Sequence, residues 1–135
     1  MRIEVEGEPV AKQRPRFTRQ GGFVRTYTPK KTLDYEKAIA EEFLKQEDRS
    51  DYEGYVRIKC IFYMPMPKAF SKKKREKALK GDILPITKKD VDNLVKSVLD
   101  GLNGVAYKDD KQVVSLYAHK YYSDRPRTEV VIEYS

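Results

Sequence analysis

The apolar pattern predicts an α+β fold: a single domain over residues 1–135, with a mixed sheet of about four strands and helices packed on one of its faces. Alternating apolar residues mark strands at the start, middle and end of the chain. Fourfold apolar spacing marks helices between them. A length of 135 residues supports one core and not two.

The elements follow in order. "MRIEVEGEP" sets Ile3 and Val5 against Glu4 and Glu6, a half-buried strand ended by Gly7 and Pro9. Residues 11–31 hold seven basic residues and no acid; with Gly21-Gly22 and two prolines they read as a loop or short ribbon. Tyr35, Ile39 and Phe43, with Leu44 beside them, predict a helix over about 30–46. In "YVRIKCIFYM", Val56, Ile58, Cys60, Phe62 and Met64 share one face and Arg57 and Lys59 the other, the clearest strand in the chain. "PMPKAF" breaks it, and Ser71 then caps a short basic helical turn, "SKKKREKALKG". Val91, Leu94, Val95, Val98 and Leu102 predict a helix over 91–103, closed at Gly104. "QVVSLYAHKYY" and "RTEVVIEYS" read as two strands of a hairpin, joined by "SDRP" with Pro126 at its turn.

Composition narrows the partners. Twenty-eight Lys and Arg against 21 Asp and Glu leave a net charge of +7, which suits a polyanion, nucleic acid ahead of an anionic membrane surface. No run approaches the roughly 18 apolar residues of a membrane span, and the N-terminus lacks a signal-peptide core. One cysteine, Cys60, excludes an internal disulfide, so a cytoplasmic, soluble protein is expected. An apolar share of 39% implies a thin core that dimerisation would help to cover.

Against that basic background, "KKDVDNLVKSVLDGLNGVAYKDD" gathers Asp90, Asp92, Asp100, Asp109 and Asp110. Asp90 and Asp92 converge only if Asp90 is extended and Asp92 lies at or just before the first helical turn, since positions two apart share a face only in extended chain. Either could instead simply cap the helix. A chain turning back after Gly104 can return Asp110 to the same end. Three carboxylates meeting in one place require a cation or protons. Oxygen-only donors with no Cys–His spacing favour Mg²⁺, with Mn²⁺ as substitute, over zinc. An EF-hand fails, because Leu94 and Val95 fall where a ligand and a glycine are required. A carboxylate-held magnesium in a basic protein points to phosphoryl transfer on nucleic acid. Lys96, four residues after Asp92, is either a helix ion pair or a cation beside the metal.

"DVDNLVKSVLDGLNG" followed by "YKDDKQVV" resembles the signature of RusA-type Holliday junction resolvases, and "KQRPRFTRQGGFVRTYTPKKTLDYE" resembles their phage-borne branch. The resemblance implies that Asp90, Asp92 and Asp110 bind the metal and act in catalysis, with Lys96 as the catalytic lysine. It implies that Asp109 assists from beside Asp110, that Asn93 orients the site, and that Lys89 supplies a basic contact before it. It further implies a homodimer making paired symmetric nicks in four-way or branched DNA during recombination and repair. The alternative is a branched-DNA-binding protein of this fold that does not cleave, its acids capping the helix.

The basic segments 11–31 and 68–89 flank the acids, and Arg14, Arg16, Lys72, Lys73, Lys74 and Arg75 are the expected contacts to the DNA backbone, beside Lys89 and Asn93. His119, the only histidine, reads as structural, and Cys60 as core. No Ser-His-Asp set or glycine-rich phosphate loop is available.

Overall fold

The computed structural model describes the backbone of residues 1–13, 16–20, 23–27, 29–86 and 88–135, and their side chains outside the segment 14–28. Among the described residues ten elements follow one another: strands β1 (Arg2–Glu6), β2 (Arg16–Gln20) and β3 (Phe23–Tyr27), helix α1 (Lys30–Leu44), strand β4 (Val56–Pro65), helices α2 (Lys72–Leu79) and α3 (Val91–Leu102), a 3₁₀ turn (Asp110–Gln112), and strands β5 (Val113–Ser123) and β6 (Arg127–Tyr134). The fold is α+β, with one four-stranded mixed sheet in the order β1-β6-β4-β5 and a separate antiparallel ribbon of β2 and β3.

The alternation in β4 is realised residue by residue. Val56, Ile58, Cys60, Phe62 and Met64 are buried, whereas Arg57 and Lys59 are exposed. A strand with so continuous an apolar face is best used in the sheet interior, and β4 lies there, antiparallel to β6 and parallel to β5. The predicted β5–β6 hairpin is therefore not formed. The two strands flank β4 instead, and residues 124–126 step across it, a span of two interstrand spacings, about 10 Å. Arg127 Nη1 donates to Ser123 Oγ and to the Arg125 carbonyl, and the Arg125 amide to Ser123 Oγ, which fixes that crossover. Turn residues in sequence report that the chain reverses, not which strand it pairs with afterwards.

Helices α1 and α3 pack together over one face of the sheet. Tyr35, Ile39 and Phe43 of α1 meet Leu94, Val98 and Leu102 of α3 above Ile3, Val130 and Ile132. The Tyr35 hydroxyl pairs with the Thr128 hydroxyl across the layers, both buried. At Gly101 the helices come so close that an added Cβ would lie 2.8 Å from the Glu36 carbonyl oxygen. Ser71 caps α2 as expected, its hydroxyl accepting from the Lys74 amide at 3.2 Å.

On the opposite sheet face Tyr63 of β4 and Tyr121 of β5 stack, with ring centroids 6.0 Å apart. His119 stacks on Tyr121, with ring centroids 4.1 Å apart, and lies 6.2 Å from Tyr117, in keeping with a structural role. Cys60 is fully buried, and burial pushes its thiol up to about 12. No helix among the described residues is long and apolar enough to cross a membrane.

Candidate active site

The first turn of α3 is entered through an unusual backbone. Lys88 and Lys89 have φ of 48° and 57°, the left-handed region that side chains with a Cβ avoid. Lys89 is held there by its own ammonium group, which donates to Glu8 Oε1 at 2.8 Å and the Pro9 carbonyl at 2.7 Å. Lys120 of β5 donates to the Lys89 carbonyl at 3.3 Å. The hydrogen bond from Lys89 is the main reason the Glu8 carboxyl sits below its ordinary range.

This turn delivers Asp90 to the N-cap position with φ −64° and ψ 141°, extended, and places Asp92 in the first helical turn. Those are the conformations that convergence of the pair demands. The Asp90 carboxylate makes no capping hydrogen bond, so its position is not explained by helix capping. Neither Asp90 nor Asp92 forms an ion pair with a described residue.

Beyond the helix, Gly104 takes φ 82° and its amide donates to the Tyr107 carbonyl at 2.9 Å, closing a tight loop. The buried Tyr107 hydroxyl donates to the Leu99 carbonyl at 2.8 Å, pinning the returning chain to α3. Asp109 then caps the 3₁₀ turn, accepting from the Lys111 amide at 2.9 Å, while Gln112 Oε1 accepts from the Asp109 amide at 2.8 Å. Gln112 Nε2 donates to the carbonyls of Tyr52 (2.7 Å) and Gly54 (3.1 Å), tying the turn to the loop before β4. In the acid pair of "KDDKQ", Asp109 and Gln112 build the turn and Asp110 faces α3. Asp109 is thus committed to capping.

Asp110 comes back to the middle of α3, where its Oδ2 lies 3.6 Å from Lys96 Nζ. The same ammonium group contacts Asp100 Oδ1 at 2.9 Å. Asp92, Lys96 and Asp100 recur at intervals of four and so form one stripe along α3. The other Asp100 oxygen meets Lys12 Nζ at 3.0 Å, and Lys12 also pairs with Glu36 of α1. Burial opposes ionisation of Asp100, but Lys96 and Lys12 outweigh it and hold its carboxyl below the usual range. The Lys96 ammonium is held above its ordinary value, first by its bond to Asp100 and then by the Asp110 charge.

As they stand, no three Asp, Glu, His or Cys side chains among the described residues are close enough together to hold a metal ion. The donors nevertheless have the chemistry a hard divalent cation requires: carboxylate oxygens, two of them without an ion-pair partner among the described residues and the third shared loosely with a lysine.

Of the expected DNA contacts, Lys72, Lys73, Lys74 and Arg75 line the outside of α2, where only Ala78 is buried. Lys74 lies over the Phe70 ring. Asn93 is exposed, and its carbonyl accepts from the Lys12 amide at 2.8 Å. Lys89 is engaged with Glu8 and Pro9. Arg14 lies outside the described residues, as does the side chain of Arg16 on β2. The sequence did not bring Asp100 and Lys12 together beside Lys96, although the Asp92-Lys96-Asp100 spacing signals a common stripe.

The family model described as Endodeoxyribonuclease RusA matches residues 6–133, nearly the whole chain. The chain belongs to the RusA endodeoxyribonuclease family. It is also 44% identical over 134 residues to a Bacillus subtilis (strain 168) protein named "Uncharacterized protein YqaN", an alignment covering 98% of this chain and 94% of that one. RusA membership makes the protein an endodeoxyribonuclease, in line with the motif resemblance and with its basic charge.

Proposed function

We propose that the protein is a Mg²⁺-dependent, structure-specific endodeoxyribonuclease that resolves Holliday junctions by paired symmetric nicks, as a homodimer, in DNA recombination and repair. The observation that carries this reading is the return of Asp110 onto α3 beside Lys96, in a RusA-family chain whose Asp90 is extended and makes no cap hydrogen bond.

Asp90, Asp92 and Asp110 would hold the metal, with Mn²⁺ as a substitute. Such an ion would supply charge at the phosphate and lower the pKa of a water. The chain's own residues do the rest. Lys96 brings an ammonium group to a scissile phosphate seated over the first turns of α3, where negative charge accumulates as the leaving oxygen departs. Lys72, Lys73, Lys74 and Arg75 hold the DNA backbone without reading its sequence.

Dimerisation is supported by β5. It is one of the sheet's two outer strands, eleven residues long, with Val114, Leu116 and Tyr117 half-exposed along it. A long apolar edge of that kind invites pairing, and two symmetric cuts require two sites related by a twofold axis.

The absence of a closed three-carboxylate group among the described residues favours one competing reading, a branched-DNA-binding protein that does not cut. Incubation with a labelled four-way junction separates the two. Symmetric nicks with Mg²⁺ that vanish with EDTA are expected. Tight binding without product under Mg²⁺ or Mn²⁺ establishes the competitor.

A further inference from the structure

We infer that Asp100 and Lys12 form a positioning relay that sets where the Lys96 ammonium group stands, so that Lys96 keeps its place when Asp110 leaves it for another cation. The inference rests on the proposed nuclease reading and extends it to two residues outside the aspartate-lysine motif.

The geometry is a chain of alternating charges running from the interior outward. Glu36 on α1 is 16% exposed, Lys12 23%, Asp100 21%, Asp110 34% and Lys96 52%. The inner members are therefore fixed by packing and the outer end is free to meet a substrate. Lys96 has two carboxylate partners, and the nearer is Asp100, at 2.9 Å against 3.6 Å for Asp110. If Asp110 turns to a metal ion, Asp100 alone restrains the lysine.

Asp100 is in turn prevented from swinging. Its second oxygen is held by Lys12, whose ammonium is braced on Glu36 of α1 and whose backbone amide is bonded to the Asn93 carbonyl. A lysine held by its backbone to α3 and by its ammonium group to α1 cannot follow a side-chain rotation of Asp100. Lys12 also stands two residues before Arg14, so the relay begins where the basic segment starts. An isolated i,i+4 pair on a helix surface contributes only about 0.2–0.5 kcal/mol and leaves its lysine mobile. The relay differs because its inner half is mostly out of solvent.

The test uses the full-length protein and a labelled four-way junction with Mg²⁺ under single-turnover conditions. Asp100→Asn, which preserves shape, is expected to lower the cleavage rate constant roughly 10–100-fold with junction affinity unchanged. In a Lys96→Ala background the same change is expected to cost nothing further, because Asp100 acts through Lys96. Lys12→Arg is expected to retain the wild-type rate and Lys12→Met to lose it. A second readout needs no cleavage: the ¹⁵Nζ–¹H cross-peak of Lys96, assigned by its loss in Lys96→Ala, is expected in the metal-free wild type and broadened away in Asp100→Asn.

Wild-type cutting by Asp100→Asn overturns the relay, as do losses that multiply in the double variant or a Lys96 cross-peak indifferent to Asp100. If Asp100→Asn fails to fold, Lys12→Met against Lys12→Arg decides by the same two readouts. A wild type that cuts under no divalent ion removes the nuclease reading, and the catalytic use of the relay with it. The cross-peak then still reports whether the clamp exists.

Discussion

Gly101→Ala is expected to destabilise the protein, against the usual sign for a helical glycine. In an open helix the substitution stabilises by about 1 kcal/mol, since alanine has the higher helix propensity and restricts the unfolded chain. Here the new Cβ would lie 2.8 Å from the Glu36 carbonyl oxygen, 2.9 Å from Ile39 Cβ and 3.1 Å from Ile39 Cγ2. Neither neighbour yields easily: one is helix backbone, and Ile39 is fully buried in the core. The two helices must part by roughly half an ångström to one ångström, loosening the contacts of Tyr35, Phe43, Leu94 and Val98. Overpacking of this kind costs about 1–3 kcal/mol, and immovable neighbours place it in the upper half of that range. The net loss is then about 1–2 kcal/mol, or a fall in Tm of roughly 3–8 °C for a chain of this size. Urea and thermal unfolding followed by circular dichroism measure it. Since Glu36 also braces Lys12, cleavage should slow together with the loss of stability. A Gly101→Ala protein more stable than wild type would refute the close approach of α1 and α3.

Four further outcomes are expected. Asp92→Asn should bind junctions normally, weaken Mg²⁺ binding by roughly 10–100-fold or more and lose cutting, measured by calorimetry and cleavage; normal cutting removes it from the metal set. Replacing Lys73 and Lys74 by Glu should weaken junction binding and lower the log–log salt slope by about 2, and an unchanged slope takes α2 out of the interface. Gln112→Ala removes three hydrogen bonds that hold the 3₁₀ turn and should cost about 2–4 kcal/mol in urea unfolding while slowing cleavage. The Cys60 thiol, pushed up to about 12 and fully buried, should stay neutral and unreactive toward Ellman's reagent at pH 8 until the protein is unfolded; rapid native labelling contradicts its place in the core.

What could be read from the sequence was local. β1, β4, α1 and α3 follow from periodicity because each buries one face, and the Ser71 cap follows from short-range backbone rules, whereas the extended Asp90 was only the condition for its convergence with Asp92. The placement of β4 between β5 and β6 was not legible, because a short reversal permits either adjacent pairing or a step across a third strand. Long-range partners were equally silent. Lys12 meets Asp100 across 88 positions, and Gln112 anchors to carbonyls some 60 positions earlier. Both residues look like ordinary surface polar groups until the fold brings their partners in. The family resemblance set Asp110 apart from Asp109, but the capping role of Asp109 was hidden for a different reason. Two adjacent identical side chains carry no pattern, and only the backbone of the 3₁₀ turn tells which of them caps it.

The departures from local preference concentrate at one point, and that is an argument about function. Two consecutive left-handed lysines cost on the order of 1–2 kcal/mol each, and an N-cap aspartate that withholds its carboxylate forgoes about 1 kcal/mol more. All three sit at residues 88–90. Bonds from Lys89 to Glu8 and Pro9, and from Lys120 to the Lys89 carbonyl, maintain the strained turn without helping α3 itself. Helix α3 tolerates this because Leu94, Val95, Val98 and Leu102 are buried, each contributing about 1.5–3 kcal/mol. A helix that needed only to fold would spend its first aspartate on its own amides. Here the chain is bent so that Asp90 stands extended beside Asp92, with its carboxylate uncommitted. Lys96 of α3 and Lys12 from before it then balance the far end of the acid stripe at Asp100, as expected if the unbalanced end is reserved for a cation that arrives with the substrate.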